Sequence, residues 1–361
     1  MKILIINTIE FNRNGMSTMI MNYYKNFDHK KISVDFLVNK QIDDEYKKII
    51  EQNDDQIFIF KNRNRTPLSY VKMLKNLVSK NKYDIVYIHG NSATMAVEEF
   101  ALRKSGSKII IHAHGEATDH PFVHKILYPY FINHYTEAFA AGEGAGKFLF
   151  GDKPFKVIKN GIDGNEFAFN QLLRDEFRKK WDIQNSKVIL QVGAFTPEKN
   201  HQFTIKMFKQ LIEKEPNFKL LLAGKGSLRS EIEMMVKNLH LENNVLFLGE
   251  VSNLPEIYSA ADYLIFPSTR ESFGIVALEG QMSGLPVFVS NAFSKSVAVT
   301  QNITFLPLKE DEWAKALLDS NGRDGILTAD EKLITSLKTK GYDIQENARE
   351  LSQLFDSIIE I

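Results

Sequence analysis

The stretch Tyr263–Val289 reads YLIF-PSTRESFG-IVALEGQMS-GLP-VFV. Tyr263–Phe266 is apolar and aromatic, as a buried strand requires. A polar loop follows, and a helix is expected over Phe273–Ser283. Gly284-Leu285-Pro286 stops that helix, and Val287–Val289 opens another strand. Strand, loop, helix and strand in this order make a βαβ unit, which implies a parallel sheet with right-handed crossovers.

The same rhythm extends in both directions. Upstream, strands are expected at Lys2–Asn7, Val34–Val38, Gln56–Phe60, Ile85–His89, Lys108–His112, Ala138–Ala141 and Lys156–Lys159. Helices are expected between them at Ser17–Asn26, Asp43–Gln52, Pro67–Lys80, Thr94–Lys104 and His120–Tyr135. The second half repeats the pattern, with strands at Lys187–Val192, Phe218–Ala223, Asn244–Leu248 and Thr304–Leu306 besides the two above. Its further helices are Asn200–Lys214, Ser227–Leu239, Leu254–Ala260, Glu310–Leu318 and Ala329–Leu337. Leu351, Leu354, Phe355 and Ile358 recur near a 3.6-residue period, so Glu346–Ile361 reads as an amphipathic helix. Ile- and Val-rich runs without alternation suit strands buried on both faces. The fold class is therefore α/β, with two Rossmann-like doubly wound domains facing a central cleft. They meet near Asn160–Gln184, which is polar and lacks strand character. In such sheets a ligand sits beyond the carboxyl ends of the strands.

At 361 residues the chain suits two domains. Its 45 Lys+Arg balance 45 Asp+Glu, which excludes gross attraction to nucleic acid. It has no cysteine, which removes disulfides, thiolate nucleophiles and cysteine metal sites together. No run approaches the ~18 apolar residues of a membrane span. The expected location is cytoplasmic, or peripheral on the inner face of the membrane. Residues 1–165 carry 23 Lys+Arg against 18 Asp+Glu, and the remainder carries 22 against 27.

Two glycine loops mislead. Gly142-Glu143-Gly144-Ala145-Gly146-Lys147 lacks the leading glycine and trailing hydroxyl of a Walker A loop, where Ala141 and Phe148 stand. The loop after the first strand has one glycine, Gly15, and so is no dinucleotide fingerprint. Gly15 either admits a diphosphate close to the backbone or simply makes the turn into the helix.

The chemistry concentrates between Arg270 and Glu279. Glu271 precedes the expected helix and Glu279 lies about two turns inside it. At ~1.5 Å rise per residue they stand roughly 10 Å apart, beyond the about 5–9.5 Å of paired-carboxylate hydrolases. The N–H groups of Phe273, Gly274 and Ile275 lie between them, where a helix start favours an anion. Carboxylate, anion hole and carboxylate match the hydroxyls, diphosphate and ribose of a nucleotide sugar.

This segment, E-S-F-G-I-V-A-L-E, resembles the E-x-F-G-x-x-x-x-E motif of glycosyltransferase family 4, retaining enzymes of the GT-B fold. Five further segments agree in order: N-G-M-S-T-M-I-M-N-Y-Y-K (14–25), I-I-H-A-H-G (110–115), K-V-I-K-N-G-I-D (156–163), V-G-A-F-T-P-E-K-N-H (192–201) and A-G-K-G-S-L-R (223–229). The set is most similar to the branch that builds bacterial capsule and exopolysaccharide. The resemblance implies that Glu271 meets the donor sugar and that Glu279 accepts the ribose hydroxyls. It implies that Lys199 stabilises charge on the departing nucleotide and that His114 contacts the donor sugar near its reacting carbon. His112 reads as a structural strand residue. Domain boundaries follow: 1–164 for the acceptor, with helix 346–361 crossing back onto it, and 165–345 for the nucleotide sugar.

The sequence also departs from the family. Ala194 replaces the usual arginine, so one cation of the diphosphate clamp is missing. Arg270 or Lys225 is expected to supply it. Asn14-Gly15 stands where Gly-Gly is common, Gly142 where serine is usual, and Ser290-Asn291-Ala292-Phe293 lacks a Gly-Gly turn.

The reaction implied is hexosyl transfer with retained configuration from a nucleotide sugar, UDP in preference to GDP. The acceptor expected is a saccharide, in this branch lipid-linked. No Asp-x-Asp marks a strand end, so no metal and no other cofactor is expected. The basic cluster Lys61, Arg63, Arg65, Lys72 and Lys75 either meets anionic lipid or is a solvated face. Two other readings are a nucleotide-sugar epimerase or hydrolase of the same fold, and a degenerate sugar-nucleotide-binding accessory subunit. Product release without an acceptor would mark the former, and donor binding without turnover the latter.

Overall fold

The computed structural model describes the chain except residues 62, 272, 324–330 and 361. It divides into two compact units, Met1–Gly161 with Ile344–Ile361, and Ile162–Asp343.

The first unit holds a seven-stranded parallel sheet in the order β3-β2-β1-β4-β5-β6-β7. Its strands are β1 (Lys2–Phe11), β2 (Ser33–Ile42), β3 (Ile57–Phe60), β4 (Ile85–Gly90), β5 (Lys108–Ala113), β6 (Glu137–Ala140) and β7 (Lys156–Val157). The second holds six, β8 (Lys187–Val192), β9 (Phe218–Ala223), β10 (Val245–Gly249), β11 (Tyr263–Phe266), β12 (Val287–Ser290) and β13 (Ile303–Leu306), ordered β10-β9-β8-β11-β12-β13. Each sheet reverses winding beside its first strand, between β1 and β4 and between β8 and β11. Those are the switch points where doubly wound sheets bind ligands.

Alternation along the strands builds a core on each face. Ile3 and Ile5 of β1 join one cluster, and Leu4 and Ile6 join another. In β8, Val188 and Leu190 face one cluster and Ile189 the other. The helix Ile344–Glu360 supplies Leu351, Phe355 and Ile358 to the first unit's core. Phe355 packs edge-on to Phe27 and Tyr87.

Three expectations change. The stretch Asn160–Gln184, in which the division between the units does fall, also contains a helix that was not expected, Gln171–Lys180, capped by Asn170 and belonging to the second unit. Its polar sequence hid it, because Arg178 is buried against the Ala260 carbonyl and Asp262 rather than solvated. The misleading glycine loop opens a helix at Glu143–Phe150, where a Cβ on Gly146 would lie 2.2 Å from the Phe155 ring. Its glycine serves packing. The helix expected over Phe273–Ser283 begins only at Ile275, because Gly274 takes a left-handed φ of 84°. Of the helix expected over Ala329–Leu337, Ala329 and Asp330 lie outside the described residues, and the helix described is Glu331–Thr339. Ser272 and Ile361 also lie outside them.

Candidate active site

In the second unit, the loops after β8 and β11 are tied together. The Thr269 amide donates to the Glu198 carbonyl at 2.8 Å, and Asn200 Nδ2 donates to the Pro267 carbonyl at 3.1 Å. This brings Lys199 to Glu271, with Nζ to Oε2 at 2.5 Å and both side chains mostly shielded from water. Gln191 Nε2 holds the Lys199 carbonyl at 2.8 Å, and the lysine stem lies over Gly193. Arg270 is exposed and lies 3.9 Å from Glu198 Oε1. The result is two cations and two carboxylates at one switch point.

Gly274 sits directly behind Glu271. A Cβ there would lie 2.2 Å from the Phe293 ring and 3.2 Å from Glu271 Cγ, and its positive φ disfavours any side chain. The helix it precedes, Ile275–Met282, leaves its first amides without intrahelical partners. The amides left free at the helix start are therefore those of Ile275 and Val276 rather than of Phe273 and Gly274. Phe273 instead packs its ring 5.2 Å from Tyr342. The 10 Å axial separation assumed a helix through Glu271, and Glu271, Phe273 and Gly274 are not helical.

Glu279 is 3% exposed, so it is not on a solvated helix face. The Tyr258 hydroxyl donates to its Oε2 at 2.6 Å. Burial pushes its carboxyl up to about 7 against an ordinary 4.5, although the tyrosine bond opposes the rise. Lys225 follows β9, where the Phe195 amide donates to the Lys225 carbonyl at 2.9 Å. Its side chain is exposed and pairs with Glu250. The two residues expected to replace the missing arginine thus both face solvent, beside carboxylates of their own. Two glycines let these loops touch: a Cβ on Gly224 would lie 2.0 Å from the Gly193 carbonyl oxygen, and one on Gly226 2.5 Å from the Phe195 amide.

At the first unit's switch point, Gly15 is the first residue of the helix Gly15–Lys25. Asn14 caps that helix by accepting from the Ser17 amide at 3.0 Å. A Cβ on Gly15 would meet nothing within 4 Å and its φ is not positive, so neither packing nor the turn requires glycine there. Beyond β5, the His114 amide donates to Asn91 Oδ1 at 3.0 Å, and its Nε2 lies 2.8 Å from His89 Nδ1. Burial holds the His114 imidazole down to about 3, so it is neutral at physiological pH. His112 is fully buried in β5 beside the Tyr87 hydroxyl.

The sequence reading therefore finds Lys199, Glu271, Arg270 and Gly274 together, with Glu279 deeper along the same helix. It missed Tyr258, Glu198 and His89. His89 carried a usable signal, since it ends a strand of the same sheet as His112; Tyr258 carried none.

The fold and these two strand-end sites define a GT-B glycosyltransferase architecture. The sequence pattern of the glycosyl transferases group 1 matches residues 174–319, the part that bears Lys199, Glu271 and Glu279. Over 96% of this chain and 94% of its own, EpsF of Bacillus subtilis (strain 168), a protein named for the glycosyltransferases, is 30% identical. The chain belongs to this glycosyltransferase family. An Escherichia coli relative, UDP-Gal:alpha-D-GlcNAc-diphosphoundecaprenol alpha-1,3-galactosyltransferase, is 27% identical over 81% of each chain. Among solved structures, HepE of Anabaena in complex with UDP-glucose shares the fold at a TM-score of 0.81 and 19% identity, covering 99% of this chain and all of that one.

Proposed function

We propose that this glycosyltransferase moves a hexosyl group from a UDP-sugar to a saccharide acceptor with retention, in bacterial surface-polysaccharide synthesis. The Lys199–Glu271 pair at the β8/β11 switch point carries the reading. A lysine held there by a carboxylate is a fixed cation, and it stabilises negative charge that grows on the departing diphosphate. The second unit binds the donor. Glu271 receives the sugar hydroxyls, the amides of Ile275 and Val276 face the diphosphate, and Glu279 Oε1 accepts from the ribose while Tyr258 holds Oε2. Phe273 packs behind that loop, and Lys225 and Arg270 give longer-range positive potential.

The first unit binds the acceptor, and His114 contacts the donor sugar through a neutral imidazole. The bond from the anomeric carbon to the phosphate oxygen breaks, and a bond to the acceptor oxygen forms on the same face. The acceptor's proton goes to the departing phosphate. No metal takes part in this transfer.

The printed activity of the E. coli relative, on a diphosphoundecaprenol-linked sugar, supports a lipid-linked acceptor and a UDP donor. A surface feature supports peripheral contact with the membrane. The helix Pro121–Phe131 exposes Phe122, Val123 and Ile126 around Lys125, an apolar stripe with a basic residue of the kind that lies in a lipid interface. The basic cluster read from the sequence contributes less. Arg63 is buried in a bidentate pair with Glu98, and Lys75 lies over the Phe100 ring. No described helix is long and apolar enough to cross a membrane.

The test is donor binding and turnover. UDP-sugars should raise the unfolding temperature more than GDP-sugars, and Glu279→Ala and Lys199→Ala should each reduce that rise. Unchanged donor binding in both variants would sink the reading.

A further inference from the structure

The first unit contains a cluster that the transfer reaction does not use as a whole. His89 on β4 pairs in register with His112 on β5, and His114 follows the end of β5. The two strands thus present two imidazoles side by side, and the third folds over them. The His112 and His114 rings stack with centroids 4.3 Å apart, and the His89 ring lies 5.2 and 5.1 Å from them. One ring nitrogen from each of the three lies within 4.8 Å of the others.

Two of these imidazoles are incompletely satisfied. His89 and His112 are 2% and 0% exposed, and Nε2 of each has no hydrogen-bond partner. An orphaned buried polar atom is unfavourable by roughly 1–3 kcal/mol, so most such atoms in proteins have a partner. His112 Nε2 is the one of the two that a ligand among the three rings would satisfy, since His89 faces His114 through Nδ1.

We propose that His89, His112 and His114 form a binding site for one divalent transition-metal ion of the Zn2+ class. Three imidazoles are the donor set of open zinc sites, in which a fourth position is left to water or a ligand. Half-buried His114 marks the side from which that position is reached. His89 Nδ1 and His114 Nε2 are already 2.8 Å apart. Two ligands at ~2.05 Å in tetrahedral geometry stand about 3.3 Å apart, so the metal replaces their hydrogen bond with a small outward movement. Tyr87 supplies the outer contact that orients a metal-bound histidine: its hydroxyl lies 2.5 Å from His112 Nδ1, which leaves Nε2 for the ion. Nitrogen-only donors favour Zn2+, Co2+, Ni2+ and Cu2+ and disfavour Mg2+ and Ca2+.

The binding itself does not depend on the transfer reaction. One consequence does rest on the proposed function: an ion on His114 withdraws that residue from the donor sugar, so occupancy inhibits transfer.

The test is titration of the metal-stripped chain with Co2+, followed by the visible bands of the tetrahedral ion and then by displacement with Zn2+. One Co2+ per chain is expected, with no response to Mg2+ or Ca2+. Tyr87→Phe should weaken binding about 10- to 100-fold, as loss of an outer contact does. His114→Ala, at the accessible edge, and His89→Phe, which keeps an aromatic volume, should each abolish the bands. If His89→Phe fails to fold, His114→Ala decides alone. A folded wild-type chain without Co2+ bands, or bands that survive His114→Ala, overturns the proposal. A metal-stripped chain that transfers no sugar yet binds Co2+ would count against the proposed function and leave the metal site standing.

Discussion

The two units use the same winding and put opposite chemistry at the same place. In each, the first strand is central and the sheet reverses beside it. At the β8/β11 point stand Lys199, Glu198, Arg270 and Glu271, ionic groups joined by hydrogen-bonded loops. Near the β1/β4 point stand His89, His112 and His114, two buried imidazoles and one half-buried, all held neutral by desolvation. A switch point therefore does not dictate chemistry; the loops after its strands do. Fixed charges suit a diphosphate, whereas neutral donors suit hydroxyls or a metal ion.

The sharpest way to break this contrast is Lys199→Ala. Removal of a preorganised cation should lower turnover about 10²–10³-fold, equivalent to ~2.7–4 kcal/mol, with little change in the unfolding temperature. Equal turnover in the variant would mean that the ionic cluster is only structural.

Glu279→Gln comes next, read as stability against pH. The Glu279 carboxyl is raised when folded, to about 7 from 4.5. The folded state thus holds the proton more tightly than the unfolded chain. That stabilisation is complete below pH 4.5 and disappears as pH rises through about 7. Wild type should lose up to about 3 kcal/mol relative to the glutamine variant across that window. Parallel denaturation curves at pH 4.5 and 7.5 would contradict the assignment.

His114→Ala should have a smaller effect on transfer. A neutral hydrogen bond contributes roughly 0.5–1.5 kcal/mol, so kcat should fall about tenfold or less. Its penalty should be insensitive to salt, since no fixed charge is lost. A drop as large as that for Lys199 would erase the distinction between the two strand ends.

Ala194→Arg should show the smallest change and the opposite sign. A guanidinium on the loop that also bears Lys199 should tighten UDP binding by up to tenfold at low salt and less at high salt. Titration calorimetry at two ionic strengths reads this directly.

Most of the fold was legible because buried parallel strands announce themselves by composition. All thirteen strands were found near their observed positions, with Lys187–Val192, Phe218–Ala223 and Tyr263–Phe266 matching to the residue. What escaped were helices whose sequence argues against burial. Gln171–Lys180 is mostly charged, yet its Arg178 meets Asp262 in the interior. Glu143–Phe150 carries two glycines that tolerate close neighbours. At the site, motif residues such as Lys199 and Glu271 were visible as types at a spacing. Their direct pairing was not, since it depends on a bond from Thr269 to Glu198, 71 residues apart. Tyr258 acts through a contact across the fold, which no local pattern records, whereas His89 was marked by its place at a strand end.

The discontinuity of the first unit has a consequence for how the chain is made. Its core includes Leu351, Phe355 and Ile358, which a ribosome delivers after the whole of the second unit. The second unit, Ile162–Asp343, is a single uninterrupted segment and emerges whole before them. The usual order of completion, N-terminal first, is thereby reversed. While synthesis proceeds, Phe27 and Tyr87 wait without their Phe355 partner, so the nascent first unit exposes an apolar face until the helix Ile344–Glu360 has been made.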